Sequence, residues 1–463
     1  MILNLTDKTM RRTGQQILAA IAGVVLVLGG RSAAADPDWK VGLAEVKITP
    51  DRPVPMAGYA SRNKLSEKVA AHLYVKAMVL EDRDGHKAAL VTSDLIGFPA
   101  AVAEPICERI GEKTGLKREE ILLNSSHNHS GPQVTLRESA KEFAGGRAVE
   151  YTRELQDKVV EAVVKAAGRL EPARLSWGSG VANFVMNRRE FTPTGVILGV
   201  NPRGLADRSV PVLRIESADG KPVAVLFGCG THNTTLGGDN YQICGDYAGF
   251  AEAHVAEKFP GVQAMFMIGC AGDSNPYPRG TMELARKHGE ALGDEVCRVL
   301  GTKLKPVNGA LRIAFDRVHL PLQALSQDEV KKLADDKRSP KAFAAGQLLE
   351  ILNRGEKPPT HYTAPLTVWQ FGPDLTLVGL SGEVVVDYLA RLEKALGPNQ
   401  LWVAAYCNDV FGYLPSARVI AEGGYETRGL YSGGAGFFDP KAEEVVVRAV
   451  RELAGKAGRR LPE

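Results

Sequence analysis

The sequence predicts an α/β fold, with mixed parallel and antiparallel strands in sheets covered by helices, built as one large domain. Three observations predict it. Strand-like and helical segments alternate along most of the chain. Asp84-Gly85 and Asp219-Gly220 each sit between strand-like runs and mark hairpins within that alternation. Polar clusters recur where apolar runs end, and strand carboxyl ends are where α/β sheets open their ligand crevice.

Taken in order, residues 41–50 alternate like a strand and stop at Pro50. Residues 73–81 and 87–96 flank the first hairpin turn and place Asp94 at a strand end. Helical spacing covers 100–113. Ile121-Leu122-Leu123 closes a buried strand, and the polar run with His127 and His129 follows until Gly131-Pro132 stops it. An amphipathic helix is expected over 150–170, then a strand over 174–182 leading to Asn187-Arg188-Arg189. The second hairpin, 212–217 with 223–228, delivers His232 at its end. Asp246 opens a helix to about 259, at an N-terminus that favours a carboxylate. A buried strand over 262–268 ends in Asp273-Ser274-Asn275-Pro276. A helix over 282–300, a strand over 311–322 and a charged helix over 326–354 come next. A strand over 366–380, broken at Gly372-Pro373, reaches Glu383, and a helix is expected from 384 to 396. The strand 401–405 precedes Tyr413, and a glycine-rich loop leads to the last helix, 440–455.

Composition narrows the function. The 463 residues are 44% apolar and 24% charged, with a net charge of +3 and no basic stripe, which argues against a nucleic-acid partner. Lys8, Arg11 and Arg12, then the apolar run 17–30 and Ala33-Ala34-Ala35, read as a secretory signal peptide over residues 1–35. No later run is long enough to span a bilayer, so a secreted or periplasmic protein without a transmembrane segment is expected. The six scattered cysteines read mainly as small buried thiols; export would permit a bridge such as Cys229–Cys244.

If His127 and His129 lie in extended backbone, they point the same way and can hold a metal or move a proton. His127, His232, Glu383 and Tyr413 supply two imidazoles, a carboxylate and a phenol, a set that suits zinc. His72, His86, His254, His288, His319 and His361 read as ordinary surface or core histidines.

At these residues the chain resembles the neutral/alkaline non-lysosomal ceramidases, a family of zinc amidases. Pro55-Met56-Ala57-Gly58-Tyr59 resembles the family's Met-x-Gly-Tyr, and Ser126-His127-Asn128-His129-Ser130-Gly131-Pro132 its Thr-His-Thr-His-Ser-Gly-Pro. Asn187-Arg188, the His232-to-Asp246 spacing, Ser381-Gly382-Glu383, and Gly412-Tyr413 with Tyr425-Glu426 follow in the family's order. The resemblance implies an exported catalytic domain over 36–463, with zinc on His127, His232, Glu383 and Tyr413. It implies His129, Arg188 and Tyr425 around a lipid or small-molecule N-acyl amide; beside it, a water-based mechanism is expected in which His129 or Asp273 takes the proton and Asn275, through its amide, orients the substrate. Asn275 stands where the family has a serine, with Ser274 one residue early, and the family's C-terminal β-sandwich is not expected in this chain. Alternatives are an ester or sugar-linked substrate on the same scaffold, or a secreted binding protein without catalysis.

Overall fold

The computed structural model describes residues 37–137 and 143–462. The expected signal peptide lies outside them. The strand Tyr74–Asp82 shows how the layers arise, because its alternate residues are buried on both faces. Val75, Ala77 and Val79 face Val102 and Ile106 of the helix Ala100–Thr114 and Val159 and Val163 of the helix Arg147–Ala167. Met78 and Leu80 face Trp369, Leu377 and Trp402 of a second sheet. Burial on both faces is why this stretch reads as a near-continuous apolar run.

The strand belongs to a nine-stranded mixed sheet. Its order runs Gln263–Ile268, Pro222–Cys229, Ser209–Ser217, Glu171–Val181, Trp39–Lys47, Tyr74–Asp82, Lys87–Ser93, Ile121–Leu123, with Lys305–Val307 paired to Glu171–Val181 off that path. Only the two outermost pairs are parallel. The second sheet orders Leu311–Pro321, His361–Phe371, Leu375–Gly379 and Leu401–Ala404, its last pair parallel. The helix Lys441–Lys456 packs on its far side, with Asp387–Leu396 against that helix. The result is four layers: helices, sheet, sheet, helices.

The large sheet does not stay open. Strand twist of roughly −20 to −25° per neighbour accumulates over eight strands. Its two ends therefore approach: Ile268 N–H, on one edge strand, donates to Asn124 Oδ1 at 3.3 Å just past the other, and Lys76 Nζ, on Tyr74–Asp82 two strands in, donates to Ala264 O at 2.8 Å. This curl brings the ends of Ile121–Leu123, Pro222–Cys229 and Gln263–Ile268 to one place. Asn124 also donates to Ala405 O at 2.8 Å, adding the end of Leu401–Ala404.

Three local expectations change. The segment 326–354 is two helices, Gln327–Asp335 and Ala342–Asn353, because Pro340 cannot continue the first. The helix expected from 384 begins at Asp387, since Glu383–Val384 instead pairs in parallel with Tyr413–Leu414. Asn187-Arg188-Arg189 lies on a strand, Val185–Thr192, hairpinned to Gly195–Asn201. All six cysteines are free, so no Cys229–Cys244 bridge forms.

Trp39–Lys47 lies directly on the helix Arg147–Ala167: a Cβ at Gly42 would sit 1.9 Å from Ala166 O. Gly42→Ala should therefore lower unfolding stability by about 3 kcal/mol, read as an earlier denaturant midpoint. A change within 0.5 kcal/mol would mean that helix and strand are not in this contact.

Candidate metal centre

His127 follows the strand Ile121–Leu123 by four residues, where Ser126 N–H bonds Ser93 O and Asn128 N–H bonds Leu95 O. Its backbone is left-handed, φ 54°, so His127 and His129 are not in the extended conformation expected from their spacing. They converge through that turn instead, with Nε2 atoms 3.1 Å apart. Gly58 permits the arrangement, since a Cβ there would lie 2.2 Å from His129 Nδ1. His232 comes three residues after Pro222–Cys229 and is fixed by its N–H to Ser274 O at 3.1 Å. Glu383 and Tyr413 are direct partners in their short parallel pair.

These side chains meet. Glu383 Oε2 lies 3.1 Å from His127 Nε2 and 3.0 Å from His232 Nε2. Tyr413 Oη lies 3.3 Å from His232 Nε2. His127, His232, Glu383 and Tyr413 are all at most 3% exposed. The ring nitrogens of His127, His129 and His232 also fall within 4.8 Å of one another, which makes His129 a fifth nearby donor atom.

Protons decide what this cluster is. His127 Nδ1 lies 2.7 Å from Ile96 O, and His232 Nδ1 lies 2.6 Å from Ala271 O. A carbonyl only accepts, so each Nδ1 carries the proton and donates. Burial first, then Arg188, pushes His232 down to about 3, so its Nε2 holds a lone pair rather than a second proton. Burial raises Glu383, but the imidazoles facing it outweigh that and hold its carboxyl well below the usual range. Both Nδ1 protons are turned to carbonyls, so the two Nε2 atoms point with Glu383 Oε2 into one buried space, and Glu383 Oε2 has no hydrogen-bond partner. Imidazole nitrogens, a carboxylate oxygen and a phenol that converge this closely fit a cation, and the N/O set matches that of zinc.

Around this core, Arg188 Nη2 donates to Tyr413 Oη at 3.0 Å, Nε to Glu426 Oε1 at 2.9 Å and Nη1 to Asn275 Oδ1 at 3.3 Å. Thr234 Oγ1 also donates to Asn275 Oδ1, at 3.1 Å. Tyr425 packs edge-on against Tyr413 with centroids 5.6 Å apart. Asp273 is placed differently. Its Oδ1 accepts Val386 N–H at 2.8 Å and its Oδ2 the Asn187 amide at 3.2 Å, so both oxygens are engaged behind the cluster. Burial pushes Asp273 up to about 7. Ser274 pairs with Asn187 in a short antiparallel contact, and its buried Oγ has no partner. Asp94 accepts Tyr74 N–H at 2.7 Å and does not join the cluster.

Sequence reasoning gave no role to three residues here. Glu426 is buried and holds both Arg188 and Arg189. Tyr431 donates to Glu383 Oε1 at 2.9 Å. Tyr406 lays its ring 4.5 Å from that of His127. Glu426 could have been found as the neighbour of Tyr425; Tyr406 and Tyr431 carry no spacing signal. The remaining histidines serve local contacts, such as His254 with Asp294 at 2.7 Å and His288 with Pro278 O at 2.6 Å.

Comparison with known proteins follows the geometry. A family profile described as "Neutral/alkaline non-lysosomal ceramidase, N-terminal" matches residues 39–288. The chain is 26% identical over 272 residues to neutral ceramidase A of Dictyostelium discoideum, covering 53% of this chain and 37% of that protein. It is 27% identical over 269 residues to the neutral ceramidase of Pseudomonas aeruginosa, covering 55% of this chain and 39% of that protein. The chain thus spans less than half the length of these curated relatives. The crystal structure of the Pseudomonas aeruginosa neutral ceramidase superposes with a TM-score of 0.71 at 21% identity, over 92% of this chain and 76% of that one, a likeness of fold. With a profile match over more than half its length, the chain belongs to the neutral/alkaline non-lysosomal ceramidase family.

Proposed function

We propose that the chain is an exported zinc-dependent hydrolase of N-acyl amides, with ceramide-like lipids as first candidates. The observation that carries the reading is Glu383 Oε2, buried and without a hydrogen-bond partner, 3.1 and 3.0 Å from two imidazole nitrogens. His127, His232, Glu383 and Tyr413 would hold the ion. Bound zinc supplies acidity, lowering the pKa of a water from 15.7 to roughly 7, and polarises a carbonyl.

The chain's own groups take the remaining tasks. Burial and Glu383 hold the Tyr413 phenol well above its ordinary value, and Arg188, which donates to its oxygen, works against them and would support it as a ligand. Carbonyls lock the proton positions of His127 and His232, but His129 Nδ1 has no partner. Burial and the neighbouring imidazoles hold His129 well below its ordinary value, so its neutral ring would take a proton only in passing and release it to the leaving amine. Of the two residues expected to move that proton, His129 is beside the donor cluster, whereas Asp273 spends both oxygens on Val386 and Asn187. Asn275 presents its Oδ1 to Arg188 and Thr234, which leaves its amide hydrogens for the substrate. Tyr425 Oη accepts from Arg428 and keeps its own proton for the substrate carbonyl.

Apolar surface beside the site favours an acyl chain over a sugar. On the hairpin that carries Arg188, Phe191 is 59% exposed and Ile197 and Leu198 are each 49% exposed. Phe191, Val200 and Leu205 share with Arg189, Glu190, Arg203 and Arg418 the lining of a groove of about 600 Å³ next to Asn187. The tyrosines around the cluster are the feature that favours the sugar-linked alternative. Export rests on the N-terminal pattern, and no helix among the described residues is long and apolar enough to cross a membrane.

Wild-type protein should retain about one equivalent of zinc, and His127→Ala should lose both the metal and amide hydrolysis. Turnover by His127→Ala after chelation would end the zinc reading, and wild-type protein with under roughly a tenth of an equivalent would favour the binding protein. Ser274→Ala should keep kcat within about threefold, whereas a loss near 10²-fold, the size of a lost transition-state contact, would make Ser274 a participant.

A further inference from the structure

We infer that the substrate carries an anionic group beside the scissile amide, a carboxylate as in an N-acyl amino acid, and that Arg428 binds it. The inference rests on the amide-hydrolase reading and, within it, moves the first candidate from a neutral ceramide-like lipid to an anionic N-acyl amide. Arg62, Arg137, Arg279 and Arg428 bond groups next to the donor cluster, and no ion pair with a carboxylate is seen for them among the described residues. Arg188 and Arg189, by contrast, share Glu426.

Three of the four are held by other contacts. Arg62 donates to the carbonyls of Ala57, His129, Gly237 and Asn240, a clamp that uses both terminal nitrogens. Arg279 Nη2 bonds Tyr59 Oη at 3.0 Å, and Arg137 Nη2 bonds Tyr431 O. Both are exposed. Arg428 is half-buried and differently placed. Its Nη1 donates to Tyr425 Oη, and its guanidinium lies 5.0 Å from the Tyr425 ring centre and 5.6 Å from that of Tyr431. Its Nε and Nη2 donate to no protein group among the described residues. Those two nitrogens form the edge of a guanidinium that grips a carboxylate with two parallel bonds.

Its supports are parts of the site. Tyr431 donates to Glu383 Oε1 at 2.9 Å, and Tyr425 packs on Tyr413. Arg428 is therefore one side chain away from the donor cluster. Burial works against the Arg428 cation, and Tyr425, Tyr413 and Glu383 around it favour it. A cation held by Glu383 would take that carboxylate up, so a ligand anion rather than a neutral headgroup would complete the match. In an N-acyl amino acid the carboxylate carbon lies about 4 Å from the scissile carbonyl carbon, so both ends fit one site. Hydrolysis breaks the amide C–N bond, puts the water oxygen on the acyl carbon and the proton on the nitrogen, and releases a fatty acid and a free amino acid.

The test uses N-dodecanoylglycine and N-dodecanoylglycinamide, which share acyl chain and amide and differ in charge. Zinc-loaded wild-type protein should favour the carboxylate by about 10²-fold in kcat/KM. Arg428→Gln should bring that ratio near one, chiefly through KM, and Arg428→Lys should keep at least a tenth of it. Calorimetric binding of both compounds to metal-free protein should show the same preference and the same loss. A wild type that cleaves or binds the glycinamide equally well, or an Arg428→Gln that lowers both compounds alike, overturns the anion subsite. If zinc-loaded protein cleaves neither, the hydrolase reading fails, and the binding measurement still decides whether Arg428 selects the anion.

Discussion

The position of two protons governs everything around Glu383. Ile96 O and Ala271 O each take a hydrogen from an imidazole Nδ1, and that fixes which nitrogen of His127 and His232 is bare. Both carbonyls follow strand ends of the large sheet, so the sheet's curl sets the tautomers. Those two Nε2 atoms face the Glu383 carboxylate in a buried space, where screening by water is weak. A cation taken up there would add to the stability of the folded chain as well as to its chemistry.

Arg188 links this core to its surroundings. One guanidinium touches Glu426, Asn275 and Tyr413, three positions spread from 275 to 426. Glu426 is also the partner of Arg189, so one buried carboxylate balances two cations. Removing it would leave both arginines unmatched, a change that is usually costly in a protein interior. The same contact orients Asn275, which stands where the resembled family has a serine. Its carbonyl faces the arginine, and its amide hydrogens are left toward the site.

Much of the architecture could be read from the sequence because period and turn chemistry agree there. The Asp84-Gly85 and Asp219-Gly220 hairpins form at the expected places, in Tyr74–Asp82 with Lys87–Ser93 and in Ser209–Ser217 with Pro222–Cys229. His127, His232, Glu383 and Tyr413 meet because each sits just past a strand end or in the short pair joined to one. Extended spacing gave the right neighbours for His127 and His129 but the wrong backbone, since nothing in the local pattern signals a left-handed histidine. Val384-Val385-Val386 continued into a helical pattern, and the decisive partner, Tyr413–Leu414, lies about thirty residues away. Tyr431 falls in a glycine-rich loop with no period, so only the folded chain reveals that it touches Glu383.

The side chains of the cluster enter the sequence at 127, 232, 383 and 413. During synthesis no ribosome-bound chain possesses this arrangement until Tyr413 has cleared the exit tunnel. An ion held there could not seed folding from the amino end; it would arrive last, as a keystone set into an arch already raised. Cells would therefore have to supply it where the finished polypeptide resides, not where its early segments are made.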